Sequence, residues 1–248
     1  MAIAPSALPA DPVAPLTVAR HNDFALPLRA LPHTDEAAGW RPGDACARDA
    51  ALREELLGRA AQVAAGAPVA MSVTGLVESH TWYVTAAAMS ALLVHGALPP
   101  LDRLEVHDSA FGYVDGVALP CDGWTCPADP AALAQALHLH LEPLVEALSE
   151  HRARRPLWRS VGDRIGQAAN WCAGAYGHDR AWALGGAVLD ADTPFRGPAG
   201  FEVVDGAPFR RRTGCCLTHR CAGAELCPDC PTQVARERQA ARRAARAA

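Results

Sequence analysis

Lysine is absent: all 23 basic side chains of this 248-residue chain are arginine. With the abundant alanine, this reads as the coding bias of a GC-rich genome, not as selection for guanidinium chemistry. Long apolar runs are absent too. Gly, Pro or a charge interrupts each stretch before the roughly 20 residues that a bilayer-crossing helix requires. No membrane span is therefore expected, and only peripheral membrane association stays open. The first twenty residues lack a basic start followed by an apolar run, so no secretory signal is expected and a reducing cytoplasm is the default location. No G-x-G-x-x-G stands in a strand–turn–helix setting, so the chain has no recognisable dinucleotide site of its own. There is no internal repeat, and no Ser-His-Asp arrangement or paired-carboxylate motif offers a hydrolytic chemistry. A pI near 6.2 and the lack of a DNA-reading motif argue against a nucleic-acid partner.

What the chain does have is cysteine, nine of them, at a length that can bury a substantial core without disulfide staples. A reducing compartment and an odd count favour metal ligation or apolar packing over disulfides. Charge is divided along the chain: residues 1–150 hold 7 Arg against 18 acids, whereas residues 151–248 hold 16 Arg against 9 acids. The positive end would attract an anionic partner or favour a more negatively charged reduced cofactor, and a solvated face accounts for it equally well.

Residues 1–43 are punctuated by Pro5, Pro9, Pro12, Pro15, Pro27, Pro32 and Pro42, which predicts an extended or partly disordered arm, with the folded unit starting near Asp44. The body, 44–206, reads as mainly helical α+β. Leu52, Leu56, Leu57, Ala60 and Val63 share a helical face, closed by Gly66 and Pro68. The apolar segment Ser72 to His95 predicts a buried central helix ended by Gly96. Leu104, Val106, Tyr113, Val114 and Val117, interleaved with polar residues, predict two short strands and a turn, a small antiparallel β element. Asp129-Pro130 starts a further helix whose stripe runs from Leu133 to Leu148, with a kink or break expected at Pro143. A third stripe after Pro156 includes Leu157, Val161, Ile165, Ala168, Cys172 and Tyr176, with Cys172 on the buried side. Gly185-Gly186 and Asp192 to Gly200 read as turns, and Phe201 to Val204 as a strand. Residues 235–248 read as a basic tail, expected to be helical and solvated.

Among isolated candidates, His138 and His140 lie two apart on a helix and so do not share a face for joint metal binding. Cys121 and Cys126, spaced C-x4-C, would need partners from elsewhere to hold a metal. His80, Trp82, Tyr83 and Trp124 are candidate pocket residues, although aromatic side chains in an apolar helix more often build core.

Four thiols stand in sixteen residues: Cys215, Cys216, Cys227 and Cys230. Structural zinc takes four thiolates tetrahedrally, commonly from two C-x2-C knuckles, and only Cys227 and Cys230 form one here. Adjacent cysteines point apart in an extended strand, so Cys215 and Cys216 converge only if the backbone turns, and Gly214 would allow that turn. An iron–sulfur cluster is wider than one ion and offers two irons to four sulfurs, which relaxes the geometry and tips the reading towards 2Fe-2S.

The segment Arg211-Arg212-Thr213-Gly214-Cys215-Cys216-Leu217, the ten residues between Cys216 and Cys227, and Cys227-Pro228-Asp229-Cys230-Pro231 together resemble the C-terminal C-C-x10-C-x2-C signature of the FhuF-like ferric-siderophore reductases. The likeness is sharp over about twenty residues and general upstream, where Leu157-Trp158 open a helix. It implies that residues 207–234 bind a 2Fe-2S cluster through Cys215, Cys216, Cys227 and Cys230, with His219 and Cys221 in the spacer as alternative ligands. It further implies an oxidoreductase that passes one electron from that cluster to a ferric siderophore in the cytoplasm, fed by an external electron donor. Hard anionic oxygens of hydroxamates, catecholates and carboxylates suit ferric iron better than ferrous, so one electron weakens the chelate and releases the metal. Arg210, Arg211, Arg212 and Arg220 around the thiols would favour the reduced cluster or dock an anionic donor, partly offset by Glu225 and Asp229. The competing readings are an iron–sulfur electron carrier or sensor and a structural-zinc binding module.

Overall fold

The computed structural model describes residues 8–18, 20–21, 24–31, 39–63, 66–197, 201–204, 207–210, 212–221, 224–226 and 230–233. In chain order these form α1 (Ala14–Thr17), β1 (Arg20–His21), β2 (Phe24–Ala25), β3 (Leu28–Leu31), β4 (Trp40–Pro42), α2 (Ala45–Arg48), α3 (Ala50–Val63) and α4 (Val69–His95). There follow β5 (Glu105–Asp108), β6 (Val114–Pro120), α5 (Pro130–Leu148), α6 (Arg154–Tyr176), α7 (His178–Asp190), β7 (Phe201–Val204) and β8 (Ala207–Arg210). The fold is α+β and mainly helical, with a small mixed sheet of four strands in the order β3-β6-β5-β4.

Helix α4 is the organising element. Its 27 residues are apolar on most sides, and sixteen of them are buried, as expected of a helix surrounded by other elements. It packs against α6 and against β6 of the sheet, while α3, α5 and α7 also touch it. Gly96 ends it in a left-handed conformation (φ 63°), its N–H bonding to the Leu92 carbonyl. The expected helix start at Asp129 is present as well: its carboxylate accepts the Ala132 N–H at 2.8 Å. Of the kink or break expected at Pro143, there is no break: helix α5 runs on to Leu148, burying Leu133, Leu137, Leu141, Leu144 and Leu148. Burial of Leu157, Val161, Ile165, Ala168 and Cys172 on α6 agrees with their sequence stripe.

Three expectations are corrected. The folded unit begins well upstream of Asp44: Val13, Leu16, Leu26 and Leu28 are core residues, and β3 and β4 complete the sheet. Strand β3 pairs in parallel with β6 in the register Leu28↔Val117, and Arg41 of β4 forms a buried two-pronged ion pair with Asp108 of β5. The proline-rich segment thus gains its structure from distant partners. Gly185 and Gly186 do not make a turn but lie within α7. A Cβ on Gly185 would stand 2.5 Å from that of Ala169 on α6, so the glycine's smallness serves close helix packing. The first amphipathic helix is present as α3, started by Asp49, whose carboxylate accepts the Ala51 and Leu52 N–H groups, but Val63, expected on the face of Leu56 and Leu57, faces solvent. The expected hairpin β5–β6, the strand at Phe201–Val204 and buried Cys172 are all present. The tail 235–248 lies outside the described residues.

Candidate metal centre

The thiol segment leaves β8 and docks on the α4–α6 pair through polar contacts. Asp163 of α6, 4% exposed, accepts the Thr213 N–H (2.9 Å), the Thr213 hydroxyl (3.1 Å) and the Gly214 N–H (2.6 Å). A buried carboxylate holding two successive backbone N–H groups fixes the chain just before the first thiol. Gly214 allows this approach, because a Cβ there would lie 3.0 Å from the Asp163 carboxylate and 3.2 Å from the Ser160 nitrogen. Arg152 clamps the next residue, donating to the Cys215 carbonyl at 2.8 Å and also to the Thr74 hydroxyl of α4.

Arg212 is not a solvated side chain: it approaches Glu78 at 3.3 Å and Asp163 at 3.9 Å. Glu78 in turn pairs with Arg164 of α6, so one buried carboxylate of α4 is held between two guanidinium groups. Arg220 is exposed, and the side chains of Arg210 and Arg211, like Asp229, lie outside the described residues.

Beyond Cys216 the backbone reverses at Leu217, a non-glycine residue in the left-handed region (φ 65°), and enters a short 3-10 turn, Thr218–Arg220. Sequence reading assigned the reversal to Gly214; the structure places it at Leu217 and uses Gly214 for close approach. The turn swings His219 back towards Cys215, with Nδ1 3.7 Å from Sγ. Cys230, 4% exposed, joins them, and one donor atom from each of Cys215, His219 and Cys230 lies within 4.8 Å of the other two.

Cys216 stands beside this trio without being part of it. Burial opposes ionisation of its thiol, yet donation from the Thr218 hydroxyl (3.1 Å) and backbone N–H, together with nearby Arg212, lowers its pKa below the ordinary value. Cys221 turns to α4, where its Sγ meets the Met71 sulfur at 3.1 Å, away from the trio. Cys227 lies outside the described residues. Of the expected ligands, Cys215 and Cys230 therefore come together; His219, named only as an alternative, joins them. Its spacing, four residues after Cys215, was the signal available.

Thiolates with one imidazole are a donor set that suits zinc or an iron–sulfur centre, so the described residues fit a soft-metal site. The remaining thiols do not compete. Burial pushes Cys172 up to about 12 and Cys46 to about 11, as inert core groups. Cys121 approaches Asp11 at 4.0 Å and Cys126 is exposed, and among the described residues neither joins a metal-ligating group.

The four candidate pocket residues divide. His80 is core, its Nε2 2.9 Å from that of His140 on α5. Trp124 donates to the Pro120 carbonyl at 2.7 Å. Trp82 and Tyr83 line a cavity of about 300 Å³ between α4 and α6. A second concavity of about 350 Å³ adjoins Cys215 and is bordered by Arg152 and Arg159.

No known protein family and no curated protein matches this chain. The FhuF-like resemblance is sharp only over the thiol motif of about twenty residues. No described helix is long and apolar enough to cross a membrane.

Proposed function

We propose that the chain is a cytoplasmic ferric-chelate reductase whose terminal thiols hold a 2Fe-2S cluster. The observation that carries the reading is the convergence of Cys215, His219 and Cys230, within a segment whose cysteine spacing matches the family signature. Cys215 and Cys230 would hold the cluster together with Cys216 and Cys227, and His219 is a further donor within reach. When bound, such a cluster supplies one electron to a ferric ion, which leaves its siderophore as ferrous iron once the oxygen donors lose their preference.

The rest is the work of side chains. Asp163 and Arg152 fix the backbone on either side of the first thiol, which holds the ligands in one orientation. Arg212, and behind it Arg152, supply positive charge that favours a more negative, reduced centre. The concavity beside Cys215, with Arg152 and exposed Arg159 on its border, offers an external electron donor of negative charge an approach to the thiols.

A second reading is structural zinc, favoured by one observation: three donor atoms this close together suit a single tetrahedral ion. Anaerobically prepared protein decides between them. The reductase reading expects equal iron and acid-labile sulfide, a paramagnetic signal on reduction, and ferrous iron released from ferric chelates. Zinc without sulfide overturns it. A cluster that exchanges electrons with a redox protein but releases no iron assigns the chain as a carrier.

A further inference from the structure

The cavity between α4 and α6 shares one helical stripe with the thiol segment. Along α4, Met71 meets Cys221, Thr74 meets Arg152 where that residue holds Cys215, and Glu78 meets Arg212. The same stripe continues to Gly75, Glu78, Ser79, Trp82 and Tyr83, which form one wall of the cavity. At 1.5 Å rise per residue, the eight residues from Thr74 to Trp82 span about 12 Å. The cavity wall therefore starts beside Thr74 and runs about two turns along α4 away from it.

Its chemistry is specific. Trp82 and Tyr83 stand edge to face, their centroids 4.8 Å apart, and the Tyr113 ring closes the side nearest the thiol segment. Gly75 is what admits that ring, since a Cβ there would come within 2.6 Å of Tyr113 Cε1. Across from the aromatics, α6 contributes Arg164 and Gln167. The Glu78 side chain is 4% exposed and that of Arg164 26%, so the acid lies beneath and the guanidinium meets whatever enters. Burial raises the pKa of both phenols, with Asp115 adding to it at Tyr83 and Cys221 at Tyr113, so both stay protonated donors.

An aromatic box with one planar cation and phenolic donors suits a flat, aromatic, anionic group, and about 300 Å³ admits a ring, not a whole siderophore. We infer that this cavity receives one catecholate ring of a ferric catecholate chelate, presenting its oxygens to Arg164 and leaving the metal towards the thiol segment. The identity of the occupant rests on the reductase reading above; the preference for an aromatic anion rests on the cavity. A trihydroxamate, whose donors sit on aliphatic chains, lacks the ring this box would stack.

The test separates binding from electron transfer by using gallium(III), which these conditions do not reduce. Gallium tris(catecholate) and the gallium complex of a linear trihydroxamate are titrated into the full-length oxidised protein by calorimetry. The catecholate complex is expected to bind about tenfold or more tightly than the hydroxamate. Trp82→Ala, or Gln167→Trp to fill the cavity without emptying the core, is expected to remove that preference. Equal affinity for the two complexes, or an unchanged preference in Gln167→Trp, overturns the assignment. Were Gln167→Trp to reduce ferric catecholates at the wild-type rate, the cavity assignment would fail and the reductase reading would stand. Preferential gallium catecholate binding without any reduction of the ferric complex leaves the cavity in place and removes the reductase.

Discussion

The α4–α6 body and the thiol segment are held by different forces. The body is mostly apolar: Leu76, Val84 and Met89 of α4 and Val161, Ile165 and Ala168 of α6 are each fully or almost fully buried. Such contacts are numerous and individually replaceable. Among the described residues, the segment is tied to the body by the polar contacts of Asp163, Arg152 and Arg212. Bonds of that kind are directional and few, so they position the thiols without adding much stability. The protein thus separates the task of staying folded from the task of placing the thiols.

That separation can be broken from either side, and the largest effect is expected at the ligands. Cys230→Ser should abolish bound metal, while far-ultraviolet circular dichroism keeps its helical signal. Leu137→Ala should do the reverse, lowering unfolding free energy by about 2–5 kcal/mol in denaturant titration and leaving metal content intact. Retained metal in the first variant would remove Cys230 from the ligand set.

A smaller effect should follow from Asp163→Ala, which touches no ligand but frees two backbone N–H groups ahead of Cys215. By analogy with outer-shell partners of metal ligands, metal affinity should fall by about 10–100-fold in a chelator competition. Thermal unfolding followed in parallel shows whether the loss is one of positioning: a variant that melts much earlier yet holds its metal as firmly as wild type contradicts that role.

The last effect belongs to the body alone and emerges only below neutral pH. His80 and His140 are both held neutral: burial lowers His80 well below its usual range, with His140 and Arg41 adding to it, and burial lowers His140 from 6.5 to about 4. Because the folded pKa values lie below the unfolded ones, their contribution is complete above about pH 6.5 and is lost as pH falls from there towards 4. Each histidine accounts for at most about 1.4 kcal/mol per pH unit in that window. Urea titrations at pH 7, 6 and 5 should show the decline, and a His80→Gln variant should show a shallower one.

Features legible in the sequence were those that local chemistry fixes. Gly96 ends α4 because only a left-handed residue closes a helix that way, Asp129 starts α5 by capping, and the Leu157 to Cys172 stripe declares the buried face of α6. Features set by distant partners were not legible. Strand β3 exists because Leu28–Leu31 find β6, some ninety residues on, and the prolines around it announce only an arm. Gly185 reads as a turn until Ala169 is seen against it. At the candidate site the thiols were plain, since four cysteines so close are rare in composition alone. Asp163 was not: a carboxylate in mid-helix has no signal of its own, and its partners are fifty residues away. His219 could be named from its spacing but not selected, because Leu217's left-handed turn decides where the imidazole goes.

Gly214 carries one more implication, for the order of assembly. A Cβ there would come within 3.2 Å of Ser160 and Asp163, so the berth Gly214 occupies exists only once α6 is wound. The first thiol therefore has no fixed address in the nascent chain until that helix has formed. The helical body acts as the mould, and the thiol segment is what it shapes.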